Sequence, residues 1–284
     1  GSAEAGRFMG YREAGITRLS LGIQSFDDQA LTALGRVHDS NQAHAAINMA
    51  QAANFTSFNI DIMHGLPGQE TDTALRDLDT ALAYSPPHLS WYQLTIEANT
   101  VFHNRPPLLP LEDTLADIQD CGEQRLARAG LQQYEVSAYA SGDQQCLHNL
   151  NYWLFGDYIG IGAGAHGKLT HSKLTDGQKG FEIRRRWKYR QPQQYIEQSL
   201  LGNAISGEQA IESRDIIFEF LLNALRLREG AGTVIFQQRT GLQLDELKQA
   251  VRHIDPDLLT VDSERISTTE KGFLFLNEIL QELV

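Results

Sequence analysis

The alternation of apolar and polar positions in the first half of the chain predicts strands that alternate with helices. Short apolar runs at residues 18–25, 58–63 and 88–95 predict buried strands. Between them, residues 41–53 and 71–84 have apolar side chains at helical spacing and predict amphipathic helices. Because such an order with short connections forms parallel sheets, the pattern predicts a doubly wound α/β sheet or part of an α/β barrel.

The pattern continues with a proline-rich loop at 104–110, a helix at 111–129 and a strand at 133–140. We expect this strand to extend the same sheet.

The glycine-rich run 160–167 allows the backbone to lie close to a ligand, because glycine has no Cβ atom.

The C-terminal part predicts a small helical module. A helix at 214–227, two shorter elements, a hairpin at 258–267 and a final helix at 273–283 resemble a winged-helix arrangement. Because acidic side chains are frequent in this part, we expect it to pack internally or to contact a protein rather than DNA.

Net charge and cysteine content narrow the class of protein. The 284 residues have a formal net charge of −12, so nucleic acid is not an expected partner. The basic run 184–190 has two interpretations: a solvated face of a strand or helix, which we prefer, or a patch for an anionic ligand such as a carboxylate. Only Cys121 and Cys146 are present, so we expect no disulfide framework. We therefore expect a cytoplasmic location.

Polar side chains follow the predicted strands where we expect each strand to end. They are Gln24, Asp61 and either Gln93 or Thr95, and Arg36 lies one loop beyond Gln24. If the strands are parallel neighbours, these side chains meet at one edge of the sheet. An acid, an amide and a guanidinium suit a ligand with hydroxyls and a carboxylate. The alternative is that they only cap helices and brace loops.

His148 is the histidine most suited to a ligand. Cys146 and Asn149 are close to it in sequence, and Tyr152 and Trp153 follow within five residues. Aromatic rings next to an imidazole suit a flat apolar ligand such as a porphyrin. The alternative is a hydrogen-bonded structural histidine, and the Cys/His spacing is not of the zinc type.

Five separated motifs resemble one known family. They are 20–26 (SLGIQSF), 34–38 (LGRVH), 59–67 (NIDIMHGLP), 87–95 (PHLSWYQLT) and 148–153 (HNLNYW). In this order they resemble the oxygen-independent coproporphyrinogen III oxidase family of radical S-adenosylmethionine (SAM) proteins, and most closely its HemW branch of haem chaperones.

The resemblance implies a fold with two parts. Residues 1–207 are expected to form a partial (β/α)6 radical-SAM-type barrel that lacks its N-terminal strands, together with its extension. Residues 208–284 are expected to form the small helical, winged-helix-like C-terminal domain of the family.

The resemblance also implies site residues. The implied SAM-binding residues are Gln24, Arg36, Asp61, Thr95 and His166. Among these, Asp61 suits the ribose, whereas Thr95 and His166 correspond to backbone and adenine-side contacts. The implied haem-binding residues, in the His-Asn-x-x-Tyr-Trp motif, are His148, Tyr152 and Trp153.

One feature of the family does not match. Its members hold a [4Fe–4S] cluster with a Cys-x-x-x-Cys-x-x-Cys loop, and neither Cys121 nor Cys146 lies in such a loop. The chain also lacks an initiator Met. We therefore expect an N-terminally truncated piece of a parent protein that binds the cluster, and no cluster in this chain.

The resemblance leaves three functions open. The leading expectation is a radical SAM family protein that binds haem and delivers it to an acceptor protein, which could be membrane-associated. The rival is an oxygen-independent coproporphyrinogen III oxidase in porphyrin biosynthesis, and the third is a cluster-less partner-binding fragment. Because the missing strands would leave residues 18–25 as an exposed edge, we expect the chain either to form a homodimer or to cover this edge in another way.

Overall fold

The computed structural model describes residues 5–175 and 178–283. The chain forms two compact units, Gly1–Gln145 and Cys146–Val284. The expected domain boundary between residues 207 and 208 lies inside the second unit and stays a prediction.

The first unit alternates strands and helices. In chain order its elements are α1 (Ala5–Glu13), β1 (Arg18–Gln24), α2 (Asp28–Ala33), α3 (Ser40–Ala52), β2 (Ser57–His64), α4 (Thr71–Leu82), β3 (His88–Gln93), α5 (Val101–Asn104), α6 (Glu112–Arg128), β4 (Gln132–Glu135) and β5 (Ala138–Ala140). The strands and helices predicted as far as residue 129 are therefore confirmed, with ends that shift by one or two residues.

The five strands form one sheet in the order β1-β2-β3-β5-β4. The predicted parallel pairing is confirmed for β1 with β2 and for β2 with β3. The prediction of a single strand at 133–140 is wrong, because β4 and β5 form an antiparallel hairpin. Its turn is closed by the Glu135 carboxylate, which accepts from the backbone N–H of Ser137 at 3.2 Å.

One face of the sheet packs on helices and forms the apolar core. Buried strand residues meet buried residues of α3, α4 and α6, among them Ile23, Ile60, Ile62, Leu89, Trp91, Ile47, Leu78, Ile118 and Leu126. Gly122 of α6 makes room for the Trp91 ring, since a Cβ atom there would lie 1.8 Å from it. Because side chains alternate along a strand, the opposite face receives the polar positions of β1, β2 and β3.

The second unit begins with a helix and a long hairpin. Its elements are α7 (Leu147–Trp153), β6 (His166–Thr175), β7 (Gln178–Lys188), α8 (Pro192–Leu200), β8 (Ile205–Ala210), α9 (Ser213–Ala224), β9 (Ala231–Gly232), α10 (Thr233–Thr240), α11 (Leu244–Val251), β10 (Leu259–Val261), β11 (Arg265–Thr268), α12 (Glu270–Leu274) and α13 (Leu276–Glu282). Strands β6, β7 and β8 form one antiparallel sheet, and β10, β11 and β9 form another.

The helical C-terminal part largely follows the prediction. The predicted core face of α9 is buried, and the predicted hairpin is formed by β10 and β11. The prediction of a single final helix is wrong, because the helix breaks at Phe275 (φ −104°, ψ 30°) into α12 and α13.

Residues 184–188 of the basic run lie on β7, and acidic neighbours pair three of the four arginines of the run. Arg184 and Arg186 both contact Glu208 of β8, and Arg185 contacts Glu219 of α9 at 2.7 Å. This favours the solvated-face interpretation over an anion site. None of the helices within the described residues is long and apolar enough to cross a lipid bilayer.

Candidate functional site

Strand β1 ends in a strained residue. Gln24 is buried at 5% exposure and has a φ of 70°, in the left-handed region that favours glycine. The pairing explains this conformation: Gly22 pairs with Asp61, but Gln24 pairs with Ile62, so β1 has one extra residue. A non-glycine residue held in this way costs on the order of 1–3 kcal/mol, and such residues concentrate at functional sites.

The side chain of Gln24 turns back over the polar face of the sheet. Its Oε1 accepts from the Tyr92 hydroxyl at 2.6 Å. Gly22 allows this orientation, because a Cβ atom there would lie 2.9 Å from Nε2 of Gln24. A side chain of any other residue at position 22 would therefore have to displace the amide.

Asp61 lies on the same face, but not where we expected it. It is three residues before the end of β2 rather than at the end, because β2 continues to His64 in pairing with β3. Its Oδ1 accepts from Asn59 Nδ2 at 2.7 Å, and its Oδ2 accepts from Ser20 Oγ at 3.0 Å. A carboxylate has about four acceptor positions, so the half-buried group can still accept from a ligand's hydroxyls.

Three of the predicted residues influence the pKa of Tyr92. Burial raises the pKa of Tyr92, the negative charge of Asp61 raises it further, and the positive charge of Arg36 and the hydrogen bond to Gln24 lower it. Gln24, Arg36 and Asp61 thus all act on one phenol. Gln24 contacts the phenol directly, whereas Asp61 and Arg36 act on it through their charges.

The loop that carries Arg36 is fixed at both ends. His38 Nε2 contacts the carbonyl oxygen of Ile23 at 3.0 Å, and the Asp28 carboxylate accepts from the backbone N–H of Ser40 at 2.7 Å. The Arg36 side chain itself is exposed. The guanidinium is therefore carried by a loop that is held at both ends, and its exposure makes it accessible to a carboxylate.

Thr95 and His166 are not brought into the same cluster by any described contact. Thr95 lies two residues beyond β3, and its Oγ1 donates to Glu97 at 3.3 Å. His166 begins β6 in the second unit, where its exposed ring stacks on Trp187 with centroids 6.4 Å apart. Their assignment to SAM stays a prediction.

His148 presents an exposed imidazole on α7. Tyr152 lies one helical turn later, with the two ring centroids 5.0 Å apart at 79°. Tyr158 extends this aromatic group, at 4.6 Å from Tyr152. An accessible imidazole supported by aromatic rings can serve as an axial ligand of a haem iron.

Trp153 has a different environment from the other two predicted haem residues. The guanidinium of Arg226 lies 4.4 Å from its ring centroid and covers one face. Its indole N–H is buried and has no hydrogen-bond partner within the described residues. Trp153 therefore offers less free ring surface than Tyr152.

Sequence reasoning missed several residues of the polar face: Ser20, Asn59, His88, Ser90 and Tyr92. Asn59 donates to Ser20 Oγ at 2.7 Å, and its oxygen accepts from His88 Nδ1 at 2.7 Å and Ser90 Oγ at 3.2 Å. Their signal was present as polar residues at every second position of β2 and β3. We had considered only polar residues at strand ends.

A [4Fe–4S] cluster does not fit the described residues. Such clusters are held by cysteine thiolates, but Cys121 lies on α6 and Cys146 precedes α7. Within residues 5–175 and 178–283, no three His, Cys, Asp or Glu side chains form a group that could hold a metal ion. SAM is a different case, because an amide, a carboxylate and a guanidinium, from Gln24, Asp61 and Arg36, are of the chemical types that its polar groups require, and the assignment of these residues to SAM stays a prediction.

Sequence comparison identifies the family. The heme chaperones HemW of Haemophilus influenzae and of Escherichia coli are each 47% identical over 99% of this chain, which spans 71% and 72% of their lengths. The HemW of Mycobacterium tuberculosis is 32% identical over 98% of the chain and 68% of its own length. The chain belongs to the HemW family. The resemblance stated from the five motifs is thereby confirmed.

Two further comparisons concern the fold of this HemW family member. The sequence profile of the HemN C-terminal domain matches residues 211–275. The structure described as coproporphyrinogen III oxidase (HemN) from E. coli, a radical SAM enzyme, superimposes with a TM-score of 0.76 at 22% identity, over 99% of this chain and 67% of that one. These findings confirm the predicted partial radical-SAM-type fold with a helical C-terminal domain.

Proposed function

We propose that the full-length protein is a haem chaperone, which binds haem at a site that includes His148 and passes it to an acceptor protein. The 47% identity to two proteins named heme chaperones, over almost the whole chain, is the observation that supports this most strongly. The rival function, that of a coproporphyrinogen III oxidase, is supported by a similarity in fold to a structure that is 22% identical in sequence.

The chemistry of α7 fits this function. The exposed imidazole of His148 can donate an electron pair to the haem iron, and Tyr152 and Tyr158 give an aromatic surface beside it. An exposed site suits a carrier, because haem that is to be handed to another protein must stay within reach of that protein.

The polar face of the first unit is proposed to bind SAM. In this proposal Asp61 accepts from the ribose hydroxyls, Arg36 pairs with the carboxylate, and Gln24 and Thr95 complete the part of the site that the first unit supplies. The role of His166, in the second unit, rests on the resemblance alone. Bound SAM is the source of radical chemistry in radical SAM proteins, but the described residues do not fit the cluster that this chemistry requires.

A haem titration tests the chaperone proposal. We expect the full-length protein to bind one haem with a change in the Soret band, and His148→Ala to weaken binding at least tenfold, since it removes the axial ligand. His103→Ala is the matched control, because His103 is also an exposed histidine on a short helix. Unchanged haem affinity in His148→Ala would remove this residue from the site.

A turnover assay separates chaperone from oxidase. Reconstituted full-length protein, kept anaerobic with SAM, is expected to leave coproporphyrinogen III unchanged. Clear decarboxylation would make the protein an oxidase. In the chaperone case, haem transfer is expected to a cytoplasmic or membrane-associated haem protein, measured as loss of the Soret signal from the donor and its appearance in the acceptor.

A further inference from the structure

Hydrogen bonds among Ser20, Asn59 and Asp61 hold the Asp61 carboxylate in place. Asn59 Nδ2 donates to Asp61 Oδ1 and to Ser20 Oγ, each at 2.7 Å, and Ser20 Oγ in turn donates to Asp61 Oδ2 at 3.0 Å. The three side chains therefore form a triangle, and both carboxylate oxygens are fixed by it.

The orientation of the Asn59 amide is set by His88. Asn59 Oδ1 accepts from His88 Nδ1 at 2.7 Å, so the Nδ2 end must face Asp61. If the amide were reversed, its oxygen would face the carboxylate and the two would repel. Asn59 uses all its donors and acceptors in this arrangement, with Ser90 Oγ as the fourth partner at 3.2 Å.

The contact made by Nε2 fixes the tautomer of His88. Nε2 lies 2.9 Å from the Tyr134 hydroxyl, which can donate to it, and this leaves the proton on Nδ1. His88 is 1% exposed, and burial, with a smaller contribution from the positive charge of Arg18, lowers its pKa to about 3. The ring thus stays neutral, and its Nδ1–H remains a donor to Asn59.

We propose that His88, Asn59 and Ser20 are positioning residues, which set the Asp61 carboxylate in the orientation that accepts the hydroxyls of a nucleoside ligand. This deepens the proposed function, because it rests on Asp61 binding the ribose of SAM. Preorganisation of an acceptor raises affinity, because the ligand does not have to order the group when it binds.

The test compares two replacements of His88 in the full-length protein, with SAM binding measured by calorimetry. Asparagine can keep a donor near the place of Nδ1, whereas glutamine places its amide nearer to Nε2. We expect His88→Gln to weaken SAM binding about tenfold and His88→Asn to restore it to within about threefold of wild type. His44→Gln is the matched control, because His44 bonds to Tyr84 and lies on α3, on the other side of the sheet.

Ser20→Ala covers the case in which a substitution at the buried His88 prevents folding. Ser20 is exposed, so its replacement leaves the core untouched, yet it removes one donor to Asp61. We expect about a fivefold loss of SAM affinity. Urea unfolding of each variant, compared with wild type, checks that the first unit is folded, because Ser20 and His88 both lie in that unit.

A double-mutant cycle distinguishes positioning from a general structural role. In an Asp61→Asn background, Ser20→Ala and His88→Gln should cause no further loss, because the group that they position is already changed. Full additivity of the losses, or wild-type affinity in both single variants, would overturn the positioning role. If Asp61→Asn alone binds SAM as wild type does, the proposed SAM site fails, which is a separate outcome.

Discussion

Tyr92 of β3 donates its phenolic hydrogen to the side-chain oxygen of Gln24, across 2.6 Å, at the point where β1 leaves regular geometry. Along the chain, helices α2 and α3, strand β2 and helix α4 lie between the two residues. The bond connects the first and third parallel strands over the second. It helps to hold Gln24 in a backbone conformation that its side chain alone would not favour.

Replacement of Gln24 should separate stability from binding. Gln24→Gly relieves the left-handed strain, so we expect it to be about 1 kcal/mol more stable than Gln24→Ala, which keeps the strain. Both variants lose the amide, and both should bind SAM more weakly than wild type. Urea unfolding and calorimetry measure the two effects, and equal stability of the two variants would show that position 24 stores no strain.

Acidification should destabilise the first unit through two buried histidines. Burial lowers the pKa of His64 to about 4 and that of His88 to about 3, from the usual 6.5. Because the unfolded chain binds a proton that the folded chain does not, the stabilisation is complete above about pH 6.5 and is lost as the pH falls towards 4. At pH 5 we expect each histidine to lower the free energy of unfolding by roughly 2 kcal/mol relative to its value above pH 6.5.

Urea unfolding at several pH values measures this effect. His64→Phe should reduce the pH dependence by about half, because position 64 then has no titratable group while His88 still contributes. The exposed His103→Ala should leave it unchanged. If the slope between pH 6.5 and pH 5 is the same in wild type and His64→Phe, His64 is not the group that titrates.

Gly122→Ala should strongly destabilise the core. A Cβ atom at this position would lie 1.8 Å from the Trp91 ring, whose indole is 2% exposed and cannot move into solvent. We expect a loss of about 3 kcal/mol, at the upper end for overpacking. Gly10→Ala is the matched helical control, since nothing lies within 4 Å of its added Cβ atom, and there a small gain is expected.

The exposed edge of β1 should promote self-association. Within the described residues β1 pairs only with β2, so the other side of its backbone has no strand partner, although His38 bonds to the carbonyl oxygen of Ile23. We expect the 284-residue chain to form dimers whose fraction rises with concentration in sedimentation experiments. A chain that stays monomeric at high concentration would show that the edge is protected.

The parts of the fold that the sequence predicted well are those with local causes. The helical spacing of α3 and α4 and the apolar runs of β1, β2 and β3 each produced the correct element. The hairpin of β4 and β5 was missed, because its turn depends on one carboxylate, Glu135, closing on Ser137. A continuous run of suitable strand residues does not show where such a turn occurs.

The candidate site was predicted only in part, for a similar reason. Gln24, Arg36 and Asp61 were predicted from strand ends and motifs, and each influences the pKa of Tyr92, while their assignment to SAM stays a prediction. The support of Asp61 by Asn59 and His88 depends on hydrogen bonds between strands, which require the register of the sheet. No pattern within a single strand specifies which polar residues will be partners across the sheet.

The alternation of faces in β2 and β3 also has a consequence for how this protein can change over evolutionary time. The residues of the polar face and those of the helix-packed core occupy successive positions of the same strands. An insertion or deletion of a single residue within β2 would exchange the two sets of side chains. Asp61 would then lie among the helices, and an isoleucine would lie on the polar face. Gains and losses of residues should therefore be tolerated in the connecting loops, while these strands can diverge only by substitution.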